Sequence, residues 1–314
     1  MDVLSDILDL ISLRGSLYFR THFSPPWAVQ VPAFGQVARF HFVTRGECWV
    51  EVQGQDSSLQ LGPGDLVVIP RGAAHVLKDN PARTPATLDD VIEKSGFRGE
   101  GALVYGGGEG SAACKLVCGH FAFDAAVQHP LLDALPAYLH IPAAVGVDYT
   151  WLESALRFVA HEAEGGQPGS EAILRRLAEI IFVQTLRSLD AEKNPALRAI
   201  SGITDRRLSG ALKAIHSQPG ENWSLESLAS EAAMSRTRFA VRFRETIGMT
   251  PMEYLTLWRM QVARQLILQS TLPMIEVASR VGYTSESAFN RAFHRQVGKP
   301  PGSLRRESRR LASG

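Results

Sequence analysis

The sequence predicts an α+β protein of several domains: an antiparallel β-barrel or sandwich of jelly-roll type over residues 1–140, a helical connection over 141–204, and an all-α domain over 205–308 with two helix-turn-helix units. Three observations predict it. From residue 18 to about 123, short runs rich in Val, Phe, Trp and Leu are punctuated by Gly and Pro turns, which is how short strands are written. Beyond residue 205 one helical pattern occurs twice, and such a repeat means two copies of one module. Charge divides along the same line: residues 205–314 hold 17 Lys and Arg against 9 Asp and Glu, a net +8, while the rest of the chain carries −7. The overall +1 hides a basic C-terminal part suited to phosphate beside an acidic N-terminal part that is not.

In chain order, MDVLSDILDLI has acidic residues every few positions and predicts a short amphipathic helix, not a secretory signal or a membrane span. The runs VARFHFVTR, CWVEVQG, SLQLGPGDLVVIPRG and CKLVCGHFAF predict strands. Glycine-rich residues 80–113 predict a mobile loop that either lids or flanks the mouth of the barrel. Three cysteines, an odd number, argue for a reducing cytoplasm over a disulfide scaffold.

Two apolar stripes follow. Trp151, Leu152, Ala155, Leu156 and Val159 form one; Ile173, Leu174, Leu177, Ile180, Ile181 and Leu186 form the other, on a helix from about 170 to 190, with GGQPG between them. Such helices either cover the side of the barrel or form a homodimer interface, for which the longer one is the better candidate. NPALRAISGITD then leads into the basic domain.

The repeat pairs LESLASEAAMSRTRFAVRFRETIGMTP, 225–251, with MIEVASRVGYTSESAFNRAFHRQVGKPP, 274–301. Ala229 recurs 49 residues on as Ala278, whereas Phe239, Phe243, Gly248 and Pro251 recur 50 on as Phe289, Phe293, Gly298 and Pro301, so the turn absorbs one residue. Ser224 suits the N-cap of the first helix and Ser235 that of the second. The Phe pairs, four apart, predict buried stripes, and Gly248 a helix end. Thr250 and Pro251 open a long connecting helix. Outside the stripes the first unit shows Arg236, Thr237, Arg238, Arg242 and Arg244; the second shows Glu286, Ser287, Asn290, Arg291, His294 and Arg295.

On these paired units, on WRMQVARQLI in the connecting helix and on EVASRVGYTSESAFNRAFHRQVGKPPGSLR, residues 207–306 resemble the AraC/XylS family of bacterial transcription regulators. The resemblance implies a seven-helix domain whose third and sixth helices enter successive major grooves of operator or promoter DNA. It implies base-facing residues Arg236, Thr237, Arg238 and Val241 in the first copy, and Glu286, Ser287, Asn290 and Arg291 in the second. Arg242 and Arg295 complete the candidate DNA contacts. Arg reads guanine and Asn adenine through paired hydrogen bonds, while Val241 offers contact only to a thymine methyl. A bacterial, cytoplasmic, nucleoid-associated homodimer is implied, touching RNA polymerase if it activates.

A second resemblance lies in the strand region. Gly35, His41, Val43, Glu47 and Gly54, then Gly64, Pro70, Gly72 and His75, follow the spacing of the two cupin motifs. Val43 stands where a metal-binding cupin has a histidine. His41, Glu47 and His75 remain, and with Cys118 as a soft fourth ligand they could hold zinc or nickel. Otherwise the two histidines are remnants in a cavity for an organic ligand. Cys114 and Cys118, four apart on one strand face, form a candidate thiol switch, although about 13 Å of plain strand separates them. The expected function is a sequence-specific DNA-binding regulator, not an enzyme, controlled by a small molecule, metal or redox signal in the cupin domain. The alternative is a metal-dependent cupin enzyme fused to a DNA-binding domain, which Val43 disfavours.

Overall fold

The structure, a computed structural model, describes residues 2–11, 14–35, 37–99, 101–107, 113–123, 127, 129–133, 135–143, 154–155, 158–159, 161–162, 167–188, 205 and 207–312. The chain divides into two compact units. A helical one comprises Met1–Ser12, Ala125–Ala134 and Asp190–Gly314, and a strand-rich one Leu13–Asp124 and Leu135–Leu189. The N-terminal helix α1 (Val3–Leu10) thus belongs to the helical unit.

The strand-rich unit holds β1 (Arg14–Ser24), β2 (Ala28–Val31), β3 (Val37–Arg45), β4 (Cys48–Val52), β5 (Leu59–Leu61), β6 (Leu66–Ile69), β7 (His75–Lys78) and β8 (Ala86–Thr87). After helix α2 (Leu88–Ser95) come β9 (Ala102–Gly106), β10 (Cys114–Ala122) and β11 (Leu139–Ile141). They form two open sheets, β11-β6-β3-β10-β1-β9 and β5-β4-β7-β2-β8. Of barrel and sandwich, the expected alternatives, the sandwich is present: no ladder joins the sheets among the described residues. Nor is pairing wholly antiparallel, because β9 and β8 add as parallel edges to β1 and β2. The 80–113 segment, expected as a loop, supplies β8, α2 and β9. Thr87 caps α2 through the Asp90 amide, Gly96 closes it, and Val91 and Leu103 drop into the core.

Alternation along β3 and β10 builds two faces. Val43, Cys114, Leu116 and Cys118 face the other sheet in a core with Phe23, Trp27, Val50 and Leu77. On the opposite face Phe40 stacks on Phe121 at 5.0 Å, and Phe121 meets Phe182 at 4.9 Å. Phe182 lies on the long helix that follows.

After the short helix α3 (Pro130–Asp133), that helix is α4 (Ser170–Ser188), which packs on β1. Gly15 permits the approach: a Cβ there would lie 2.7 Å from Ala178 Cβ and 2.8 Å from the Arg175 carbonyl. Leu174, Ala178, Ile181, Phe182 and Leu186 are buried, but Ile173 and Ile180 are 40% and 48% exposed. The expected single stripe is therefore split, since covering the sheet uses a face about 150° around the helix from Ile173 and Ile180. Of the earlier stripe, Trp151, Leu152 and Leu156 lie outside the described residues, as does the connection through 189–204.

The helical unit contains α5 (Ser209–Ser217), α6 (Leu225–Glu231), α7 (Arg236–Ile247), α8 (Pro251–Gln269), α9 (Met274–Arg280), α10 (Glu286–Val297) and α11 (Pro301–Ala312). Ser224 caps α6 in a reciprocal box with Ser227, and Thr250 caps α8 with Glu253 behind Pro251. Ser235 occupies the N-cap of α7 without making the side-chain bond expected of it. Asp2 caps α1 through the Ser5 amide, and Val3, Ile7 and Leu10 turn inward.

At the centre of this unit a polar chain joins distant segments. Neutral His129 donates from Nε2 to Tyr254 Oη (3.2 Å), Tyr254 donates to His216 Nε2 (2.8 Å), and His216 Nδ1 donates to Asp6 Oδ2 (3.3 Å). Burial pushes both histidines down to about 3. His216 also stacks on Trp258 at 3.6 Å.

Candidate functional site

Both helix-turn-helix copies are built alike. In each, the first helix places a buried alanine, Ala229 or Ala278, at the crossing, where a small side chain lets the second helix approach. The second helix buries its Phe pair, with ring centroids 5.6 Å apart in both copies. Between the helices the chain needs one left-handed residue: Ala233 at φ 51° in the first copy, Gly282 at φ 81° in the second. These two correspond at the 49-residue offset, so the repeat extends to backbone conformation.

With the Phe pairs inward, the candidate readers face out. Arg236, Thr237 and Arg238 at the start of α7 are exposed, and Val241 is 52% exposed. On α10, Glu286, Ser287, Arg291 and Arg295 are exposed and Asn290 is half-buried, lining a groove with Met274, His294 and Gly302. Asn290 Oδ1 is enclosed without a hydrogen-bond partner; pairing with adenine N6 and N7 requires the whole amide edge to face the groove. Arg242 departs from expectation. It is turned to Asp205, and its Nε and Nη2 donate to Asp205 Oδ2 at 2.9 and 2.5 Å.

A junction between the copies carries no sequence signal. Arg259 on α8 donates from Nε to the Pro219 carbonyl (2.7 Å) and from Nη2 to the Glu221 carbonyl (2.6 Å). Those carbonyls lie in the turn before the first copy, whose Gly220 packs on the Arg280 carbonyl and Gly282 of the second. Only a lone arginine on an otherwise apolar helix face could have hinted at it.

In the strand-rich unit, three of four proposed metal ligands meet. Cys118 and His41 are register partners on β10 and β3, and His75 comes from the other sheet. The hydrogen bonds fix the tautomers: His75 Nδ1 donates to the Ala73 carbonyl (2.9 Å), so its Nε2 accepts from His41 Nε2 (2.8 Å), and His41 Nδ1 accepts from the Cys118 thiol (3.0 Å). Burial holds His41 well below the usual imidazole range, lowers His75 to about 4, and pushes the Cys118 thiol up.

Glu47 is not brought to this cluster. It sits past the end of β3, exposed, and accepts from Gln60. His41 presents opposite ring nitrogens to Cys118 and His75, so the three donors do not converge on one point, and among the described residues no three His, Cys, Asp or Glu side chains are disposed to hold a metal ion. The donor set does not fit zinc or nickel. Cys114, buried in the same core as Cys118, hydrogen-bonds Cys48 on β4, and this contact with burial keeps Cys48 a protonated thiol; protonated buried thiols are poor nucleophiles. Beside His41 and Cys118, with Arg39 and the apolar Phe23, Val31 and Leu103, lies a cavity of about 20 Å³. It admits a water molecule; an organic molecule requires the sheets to part.

Known proteins share both halves. A cupin family model matches residues 2–191 and a helix-turn-helix domain model residues 228–307. The chain is 33% identical to a putative AraC-like transcription regulator of Streptomyces lividans, over 98% of both chains. It is 32% identical to the HTH-type transcriptional regulator AlkR of Acinetobacter baylyi, over 98% of this chain and 100% of that one. With the RCS-specific HTH-type transcriptional activator RclR of Escherichia coli it shares 31% identity, over 99% and 100%. Among solved structures, the DNA-binding domain of AdpA in complex with a target DNA is 33% identical, covering 33% of this chain and 95% of that one, with a TM-score of 0.32. No helix among the described residues is long and apolar enough to cross a membrane.

Proposed function

The chain belongs to the AraC-like family of DNA-binding transcription regulators with an N-terminal cupin domain, and from that premise we propose that two unequal readers recognise its operator while a signal in the cupin core decides their use. The observation that carries the reading is the pair of outward faces on α7 and α10, framed by identical Phe pairs. Arg236, Thr237, Arg238 and Val241 meet one major groove. Glu286, Ser287, Asn290 and Arg291 meet the next, with Arg295 on the backbone.

The regulatory half is a sensor in the bacterial cytoplasm, not a catalyst. Its signal acts on the buried His41–His75–Cys118 chain, by parting the sheets around a bound molecule or by parting them far enough to expose the Cys118 thiol to an oxidant. Either event shifts the population of DNA-competent conformers only by its differential affinity for them. The exposed stripe of α4, Ile173 and Ile180 with half-buried Leu177, serves a second copy of the chain.

Selection of duplexes from a random pool by the full-length protein tests the DNA reading. The expected product has two half-sites one helical turn apart, at which Arg291→Ala weakens binding by about 1–3 kcal/mol only when its own base pair is the cognate one. Failure to enrich any sequence, or indifference of binding to both Arg236→Gln and Arg291→Ala, sinks it.

A further inference from the structure

We infer that Arg242 is a positioning residue of the first reader and not a DNA contact, locked to Asp205 just ahead of α5. This rests on the reading that α7 meets DNA. Asp205 is itself held fast before any cation meets it. Its Oδ1 accepts from the Arg207 amide (2.8 Å), and its carbonyl accepts from the Leu208 and Ser209 amides (3.0 and 2.9 Å). Its carboxylate is therefore fixed at the start of α5, with Oδ2 left for Arg242.

Arg242 approaches that oxygen through two nitrogens, an ionised and directional contact of the strong kind. The Asp205 side chain is 12% exposed and that of Arg242 36%. Were Arg242 to reach for a phosphate, it would leave a half-buried carboxylate without its counterion.

The internal repeat supports the assignment independently. At the 50-residue offset that superposes the Phe pairs, exposed Val241 corresponds to exposed Arg291, but Arg242 corresponds to Ala292, which is 8% exposed within the core of the second copy. Position 242 therefore points along the framework side of its helix, not the reading side. Its guanidinium ties α7 to the head of α5, across 37 residues of sequence, and so sets the angle at which Arg236, Thr237, Arg238 and Val241 are presented.

Binding of full-length protein to a duplex of arbitrary sequence and to the selected duplex, each over a range of salt, tests this. R242Q and D205N should each leave the salt slope on the arbitrary duplex unchanged. Each should weaken binding to the selected duplex by about tenfold, the scale of one lost charge-assisted contact. The double variant D205N/R242Q should weaken selected binding no further than either single one, as two partners of one contact require.

The inference is overturned if R242Q lowers the slope by about one while D205N tightens binding to the arbitrary duplex, since Arg242 would then serve a phosphate. Should R242Q fail to fold, R242K carries the test, because a lysine serves a phosphate but cannot fork. Selected binding lost at unchanged slope supports the lock, and full retention overturns it. R236Q distinguishes the underlying reading: if it too changes nothing on either duplex, α7 does not meet DNA and both ideas fall.

Discussion

The two helix-turn-helix copies share a framework and differ in everything that faces outward. Both bury an alanine at the helix crossing and a Phe pair at 5.6 Å, and both end the second helix on a glycine with positive φ. Their proposed reading faces, by contrast, share scarcely a residue: Arg236, Thr237, Arg238 and Val241 on α7 against Glu286, Ser287, Asn290 and Arg291 on α10. Positions that hold helices together admit few solutions, whereas positions that touch DNA follow the sequence read. The copies also differ where they are anchored. The first rests on His216 and Tyr254, while among the described residues the second buries no histidine or carboxylate.

The sharpest way to break the comparison is at the turn. Gly282→Ala puts a Cβ 2.8 Å from the Gly220 carbonyl and 2.7 Å from the Arg259 guanidinium at φ 81°, and should cost about 3 kcal/mol from backbone and overpacking strain together. Chemical denaturation would show it; a loss under about 1 kcal/mol would mean that the junction yields. Next come the readers. Arg291→Ala should cost about 2 kcal/mol at its cognate base pair and Val241→Ala well under about 1 kcal/mol, a contrast that competition with single-base variants of the selected duplex measures.

Acid should separate the copies further. His216 and His129 have folded values near 3, below the ordinary imidazole value, so their contribution to stability is complete above about pH 6.5 and is lost as pH falls from there toward 3. By pH 5.5 one such histidine costs about 1.4 kcal/mol. Hydrogen exchange at pH 7 and pH 5.5 should show α7 losing protection before α10, and equal loss would contradict the anchoring difference. The smallest expected effect on stability is a gain. Ala233→Gly relieves a left-handed alanine at φ 51° and should stabilise by about 1 kcal/mol, net of the freedom it gives the unfolded chain; the thermal midpoint should rise.

What the sequence made legible was local. Ser224, Thr250, the Phe pairs and Gly248 act within one or two helical turns of themselves, so their roles can be read from spacing. The contacts of Arg242 and Arg259 span 37 to 40 residues and His216 to Asp6 spans 210, and no periodicity encodes them. Motif spacing brought His41 and His75 together but failed for Glu47, because β3 ends at Arg45 and the inward alternation ends with it. Glycines misled at 80–113, where the Thr87 cap and Val91 outweigh them. The split of α4 into a sheet-covering face and an exposed one was hidden because Ile173 and Leu174 are equally apolar and only the neighbouring sheet tells them apart.

If α7 and α10 read DNA as proposed, Arg259 and the two glycines at its side make the pair of readers a caliper with a fixed jaw. An instrument that does not flex passes the cost of misfit to the object it grips. Any mismatch between the jaw and the pitch of the duplex is then met by bending or twisting DNA, at an elastic cost that depends on base pairs no side chain touches. The steps between the half-sites should therefore carry information as well, stored as stiffness.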